Sequence, residues 1–205
     1  MFDLCCVMSK EIKIKKRNLF ISLAIVLFVV IVFSYSRASI SITNQDADIR
    51  ELEEKFAVLS KANTNSCGGT FDYVNSKSPD QRIQGSCCGP MNVHRYIEQI
   101  KELKKYSKYK IIPSDPYDVS VSSAQKLLDY QKNIILTPAR QSIYDEAAEL
   151  SHEGGPCCCK CWHWYAYEGL AKYLIVEEKF TAEQIAEVWD ISDACGGDGH
   201  VGGEH

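Results

Sequence analysis

The chain has 205 residues, of which 45% are hydrophobic and 24% are charged, enough for a folded domain with an apolar core. The formal net charge is −4, but the part from residue 38 onward is more acidic, at about −8, because residues 1–37 contain six bases and only two acids. That part has no basic stripe, which excludes nucleic-acid binding as a function. Ten cysteines are the unusual feature of the composition, and they point to disulfide or metal chemistry.

The N-terminal region has the pattern of a membrane anchor. Residues 1–18 are basic, and residues 19–35 are an apolar run interrupted only by Ser22 and Ser34. A helix over this run is ~25 Å long, slightly less than the ~30 Å hydrocarbon core. We therefore predict an uncleaved signal-anchor with one transmembrane helix, so that the membrane is a partner. The positive-inside rule places the N-terminus in the cytoplasm and the main domain in an extracytoplasmic position at the cell membrane. A cleaved signal peptide is the alternative.

Residues 38–62 are predicted to form a helical stalk. Ile49, Leu52, Phe56 and Leu59 follow one another at spacings of three, four and three, which is a short a/d seam. Such a seam usually packs on its own domain. The alternative is a homodimer formed through residues 49–59.

Residues 63–195 are predicted to be a cysteine-rich helical domain. After a loop-like stretch to residue 90, residues 92–106 and 121–135 each place apolar side chains on one helical face. A third helix is predicted to begin where Thr137 precedes Pro138, and its inward face includes Leu150.

Two further helices complete the predicted domain. Pro156 is expected at the first position of a helix that reaches about residue 176, and Thr181 with Gln184 forms a capping box for the last helix. No segment alternates with the period of a strand. The predicted fold class is therefore all-α, a small cysteine-rich helical bundle after the single transmembrane helix, with residues 196–205 as a Gly/His tail.

Four cysteines fall within five positions of the stretch "PCCCKC", at residues 156–161. If the helix begins at Pro156, its unpaired N–H groups and dipole favour the thiolate form. If the stretch is extended instead, Cys157, Cys159 and Cys161 alternate onto one side. Either conformation lets two or three sulfur atoms converge on an ion of the size of zinc.

Other residues are candidates to complete this site. Cys158 is adjacent, and Cys195, His163 and His200 lie within reach if the last two helices pack together. Soft sulfur ligands with optional imidazole suit copper(I) or zinc(II). A possible second thiol site comprises Cys67, Cys87, Cys88 and Met91.

Disulfides are the competing interpretation of the same residues. Eight cysteines follow the predicted anchor, an even number that suits an oxidising compartment. Three consecutive cysteines are awkward to bridge. Both uses can coexist, with Cys67 bridged to Cys87 or Cys88 and the later cysteines left to bind metal.

The stretch at 156–161 resembles the motif of a family of exported bacterial lipoproteins named for Pro-Cys-Tyr-Cys-Gly-Cys. Pro156, Cys157, Cys159 and Cys161 match that motif, while Cys158 replaces its tyrosine and Lys160 its glycine. With the helices that follow, the similarity covers about 40 residues. It implies an exported, envelope-attached protein. The family's lipid-modified cysteine is replaced here by the predicted transmembrane helix.

These features predict a binding protein rather than an enzyme, one that captures or delivers copper or zinc to an unidentified metal-exchange partner. A thiol–disulfide exchange protein is the second hypothesis. A disulfide-stapled interaction module without metal is the third.

Overall fold

The computed structural model describes residues 27–28, 46–62 and 70–196. The chain divides into two compact units, residues 1–51 and 52–205. In the first unit, residues 27–28 and 46–51 are helical. The second unit contains the cysteines considered below.

The described residues form helices and one small sheet. The helices are α1 (46–59), α2 (Phe71–Asn75), α3 (Val93–Leu103), α4 (Val121–Asn133), α5 (Pro138–Leu150), α6 (Trp162–Tyr173) and α7 (Ala182–Ser192). A 3₁₀ turn, Lys104–Tyr106, continues α3, and a π-helical turn, Leu174–Glu178, continues α6. Strands β1 (Arg82–Gln84) and β2 (Asp118–Ser120) pair antiparallel, with Ile83 opposite Val119.

The main core is built where α4 packs on α6. Leu127 and Leu128 of α4 are buried together with Leu170 of α6. Gly169 allows the close approach, because a Cβ atom there would lie 2.0 Å from the carbonyl oxygen of Leu127. The absence of a side chain at residue 169 therefore sets the spacing of these two helices.

Helix α7 packs against α3 and α5. Thr181 and Gln184 form the predicted capping box at its start, which satisfies N–H groups that the first turn leaves without helical partners. Its apolar face, which includes Ile185, Val188 and Trp189, is buried as predicted. This helix delivers residues 193–196 to the cysteine cluster.

A second, smaller core lies beside the cysteines. Leu59, Tyr96 and Tyr117 are buried there with Cys87 and Cys161. Leu52 and Phe56 of α1 pack against the same core, and the neighbouring Lys55 forms an ion pair with Asp115, 2.7 Å from Nζ to Oδ2. The interpretation that the α1 seam packs on its own domain is thus confirmed for residues 52–59. The homodimer through residues 49–59 stays a prediction.

The predicted fold class needs correction at the N-terminus. In the described part of the chain, no helix combines the length and the apolar character that crossing a membrane requires. The prediction of a transmembrane helix at residues 19–35 is therefore contradicted by the described part of the chain. Of that run only residues 27 and 28 are described; residues 1–18 and 197–205 lie outside the described residues.

Two smaller predictions are also corrected. The bundle is not purely α-helical, because β1 and β2 pair; strands of three residues are too short to show an alternating pattern. Leu150, predicted to face inward, is 49% exposed because it lies in the last turn of α5, where the chain turns away.

Candidate metal centre

The cysteine-rich stretch is a loop, not the start of a helix. Residues 151–161 form turns, and α6 begins at Trp162 with Cys161 as its N-cap. The prediction of a helix from Pro156 is wrong. Gly154 and Gly155 adopt positive φ angles of 67° and 154°, and the chain forms turns there instead of a helix. Gly155 lies under the indole of Trp164, where a Cβ atom would approach to 2.5 Å. The helix dipole therefore acts on Cys161 but not on the three cysteines before it.

Two other segments are held together next to this loop. The N–H of Cys87 donates to the carbonyl oxygen of Ala194 at 2.8 Å, and the N–H groups of Cys88 and Gly89 donate to that of Cys195 at 3.1 and 2.7 Å. The short stretch after α7 is thus paired, backbone to backbone, with the loop after β1. This pairing brings cysteines from three distant parts of the chain to one place.

Hydrogen bonds to Asp193 also hold the stretch after α7 in place. The carbonyl oxygen of Asp193 accepts hydrogen bonds from Gln99 Nε2 at 2.7 Å and from the hydroxyl of Tyr117 at 3.2 Å. Its carboxylate Oδ1 accepts from the N–H of Cys195 at 3.0 Å and lies 3.8 Å from the thiol of Cys157. Asp193 therefore fixes the backbone and also offers an oxygen ligand.

The side chains form three overlapping groups of potential metal ligands, in each of which the ligand atoms lie within 4.8 Å of one another. The buried sulfur group comprises Cys157, Cys159 and Cys161, the set predicted for an extended stretch. The mixed group comprises Cys157, Asp193 and Cys195. The surface sulfur group comprises Cys88, Cys158, Cys159 and Cys195.

One sulfur atom of the surface sulfur group, that of Cys88, already belongs to a disulfide. Cys88 is disulfide-bonded, whereas the other six described cysteines are not in disulfides. A sulfur atom in a disulfide carries no ionisable proton and cannot act as a thiolate ligand. Of the two alternatives for the predicted bridge, Cys88 is therefore in a disulfide and Cys87 is not. Cys67 lies outside the described residues, so its pairing with Cys88 stays a prediction.

The charge within the cluster is centred on Cys161. The thiols of Cys157 and Cys87 donate toward its sulfur and lower the pKa of Cys161 strongly, while the pKa values of these two donors are raised. Burial, with the neighbouring Cys161 adding to it, raises the pKa of Cys159 to about 11. These opposite directions favour Cys161 over its neighbours as the position of a thiolate. Metal binding by the neighbouring thiols would release their protons.

The predicted ligand His163 is near the cluster but outside all three groups. Its ring is fully buried and stacks on Tyr167 with centroids 4.1 Å apart. Burial lowers the pKa of His163, which keeps the imidazole neutral. Among the described residues, neither ring nitrogen has a hydrogen-bond partner.

The remaining predicted ligands have other positions. Met91 is half-buried against the second core and belongs to none of the three groups. His200 lies outside the described residues. The sequence pattern did not identify Asp193 as a ligand; its position two residues before Cys195 is the one signal that could have done so.

No family model, curated protein or solved structure shows a match to this chain. The resemblance of residues 156–161 to the Pro-Cys-Tyr-Cys-Gly-Cys family stays a prediction. The fold and site define a cysteine-rich, mostly helical domain with groups of sulfur atoms that could hold a metal ion.

Proposed function

We propose that this protein binds a soft metal ion, copper(I) or zinc(II), through the buried sulfur group and captures or delivers it. The observation that carries the proposal is the mutual approach, within 4.8 Å, of three sulfur atoms that are not in disulfides. Thiolates are the preferred ligands of both ions, and copper(I) accepts a site made only of sulfur. A module stapled purely by disulfides is disfavoured, since only one of the described cysteines is bridged.

The exposure of the sulfur atoms suits capture and release. Cys158 is exposed and Cys159 is half-buried, whereas Cys157 and Cys161 are fully buried. An ion arriving from solvent would meet the outer thiols first and then exchange inward to the buried sulfur group. Transfer to a partner would follow the same order in reverse, one sulfur ligand at a time.

The disulfide at Cys88 supports a location outside the cytoplasm. Disulfides persist in oxidising compartments and are rare where thiols are kept reduced. We therefore infer that the cysteine-rich unit functions in an oxidising compartment. The resemblance to the Pro-Cys-Tyr-Cys-Gly-Cys family also implies an exported protein. The inference does not depend on a membrane span.

Metal binding by the full chain tests the proposal. The chain is titrated anaerobically with copper(I) or zinc(II) against a chromophoric chelator, and bound metal is counted by mass spectrometry. Cys161→Ser should abolish tight binding at the buried sulfur group, whereas Cys5→Ser, outside the described residues, is the control. Equal affinity in both variants would contradict the proposal.

Thiol–disulfide exchange is the second candidate function. The Sγ atom of Cys159 lies 3.4 Å from that of the disulfide-bonded Cys88. A Cys159 thiolate could attack that sulfur, forming a Cys88–Cys159 bond while the former partner of Cys88 leaves as a thiolate. Because the pKa of Cys159 is about 11, such exchange should accelerate as the pH rises toward that value. A rate of reaction with a model disulfide that is independent of pH, or that is unchanged in Cys159→Ser, would exclude Cys159 as the attacking group.

A further inference from the structure

The surface sulfur group has the spacing of a complete four-cysteine metal site. The Sγ atoms of Cys158 and Cys195 are 3.0 Å apart, those of Cys88 and Cys159 are 3.4 Å apart, and all four lie within 4.8 Å of one another. Four sulfur atoms placed ~2.3 Å from a tetrahedral zinc ion are ~3.8 Å apart. The four side chains therefore need only small rotations to surround such an ion.

Cys88 is held in this group by its backbone as well as by its disulfide. Its own N–H and that of Gly89 both donate to the carbonyl oxygen of Cys195, at 3.1 and 2.7 Å. The hydroxyl of Ser86 closes the same loop by donating to the carbonyl oxygen of Gly89. Opening the disulfide would leave these hydrogen bonds in place, so the Cys88 sulfur would stay beside Cys159.

The group is also accessible from solvent. Cys88 and Cys158 are exposed, and Cys159 is half-buried. By contrast, Cys157 and Cys161 of the buried sulfur group are completely covered. A reductant and a metal ion can therefore both reach the surface sulfur group without unfolding of the domain.

We propose that the disulfide of Cys88 is a redox switch that controls a surface zinc site formed by Cys88, Cys158, Cys159 and Cys195. This inference rests on the proposed function, because it concerns the regulation of the same cluster. A dithiol reduces the bridge: two new thiols form, at Cys88 and at its former partner, and the dithiol becomes a disulfide. Zinc binding then displaces the protons of the four thiols and completes a tetrahedral site.

The switch redistributes metal within the cluster. Cys159 belongs to both the buried and the surface sulfur groups. When reduction supplies Cys88 as the fourth ligand, Cys159 is drawn toward the surface site. Reduction therefore moves the ion outward. Exchange with an external disulfide, which is itself reduced to two thiols, re-forms the bridge of Cys88 and leaves the three buried sulfur atoms as the better site.

The full chain, oxidised or reduced with a phosphine that is then removed anaerobically, is titrated with zinc against a chromophoric chelator. Reduction should expose two additional thiols and tighten zinc binding at least about tenfold. Losing only a hydrogen-bond partner of a metal ligand weakens metal binding about 10- to 100-fold, so gaining a fourth ligand should have at least the smaller of these effects. Helical circular dichroism should be unchanged by reduction. Loss of that signal, or thiols that appear without tighter binding, would overturn the switch.

Two variants separate this inference from the proposed function. Cys158→Ser removes a member of the surface sulfur group alone and should abolish the tightening of zinc binding on reduction. Cys161→Ser should weaken oxidised binding but keep the response to reduction. Zinc binding that ignores the redox state in every variant defeats the switch and leaves the proposed function standing. Absence of binding in both redox states defeats both.

Discussion

Gly196 lies so close to Gly89 that a Cβ atom at residue 196 would be 2.4 Å from the carbonyl oxygen of Gly89. Gly196 also has a φ angle of +75°, which L-residues with side chains rarely adopt. The close approach occurs where the stretch after α7 pairs with the loop that carries Cys87 and Cys88. Gly196 thus allows the segment that carries Cys195 to pair with the loop that carries Cys87 and Cys88.

Gly196→Ala should lower the free energy of unfolding by about 2–4 kcal/mol, since left-handed strain and a backbone clash add together. Urea unfolding followed by circular dichroism measures this change. Gly154→Ala is the matched control: its φ angle is +67°, but a Cβ atom there meets nothing within 4 Å. It should cost only about 1–2 kcal/mol. Equal losses in the two variants would show that the approach to Gly89 does not matter.

Gly169→Ala should destabilise the domain, although the same change in an exposed helix stabilises by up to about 1 kcal/mol. The new methyl group would lie 2.0 Å from the carbonyl oxygen of Leu127 and 2.7 Å from the backbone nitrogen of Gln131, so α4 and α6 must separate. We expect a loss of about 3 kcal/mol in urea unfolding. Ser142→Ala, at an exposed position of α5, serves as the control and should change little. A stabilising effect of Gly169→Ala would contradict the packing described here.

Two threonines at helix starts should respond differently to alanine. The side chain of Thr181 accepts a hydrogen bond from the N–H of Gln184, whereas that of Thr137 makes no capping bond. Thr181→Ala should therefore cost about 1 kcal/mol, and Thr137→Ala less than about 0.5 kcal/mol. Thermal unfolding of the two variants side by side measures the difference. Similar melting temperatures would mean that the capping box contributes nothing.

The stability of the domain should fall as the pH rises above about 10. Burial raises the pKa values of Tyr117 and Tyr167. The unfolded chain then loses these phenolic protons at about pH 10, while the folded chain retains them to higher pH, so alkali favours unfolding.

Each of these two tyrosines should contribute a slope of up to about 1.4 kcal/mol per pH unit in that range. The Tyr167 hydroxyl has no hydrogen-bond partner among the described residues. Tyr167→Phe should therefore make the dependence shallower with little loss of stability near neutral pH. Urea unfolding between about pH 9 and about pH 11 tests this expectation. An unchanged slope in the variant would refute it.

The helices could be predicted from the sequence where local signals determine them. The capping box at Thr181, the Thr137–Pro138 start and the apolar face of α4 all depend on neighbours within one or two turns. The helix predicted from Pro156 was wrong because a tertiary contact decides the conformation there. Gly155 packs beneath Trp164, and the backbone turns that this requires delay the helix to residue 162.

The site was predicted only in part for a similar reason. Convergence of Cys157, Cys159 and Cys161 followed from their alternation. Cys195 was expected nearby if the last two helices pack together; it does lie in the cluster, but α7 packs mainly on α3 and α5. The place of Asp193 and the pairing of Cys88 with Cys195 depend on backbone hydrogen bonds between residues far apart in the chain. Period and spacing carry no information about such contacts.

The sulfur atoms that meet in the cluster belong to residues far apart in the sequence, so bringing them together costs conformational entropy. Cys88 and Cys159 are 71 positions apart, and Cys158 and Cys195 are 37 apart. Closing loops of that size is unfavourable in a disordered polypeptide, so the ligands assemble only after the domain has folded. An ion bound there would act as a removable cross-link that favours the native state by mass action. The lifetime of the protein against proteolysis would then report how much metal its surroundings contain.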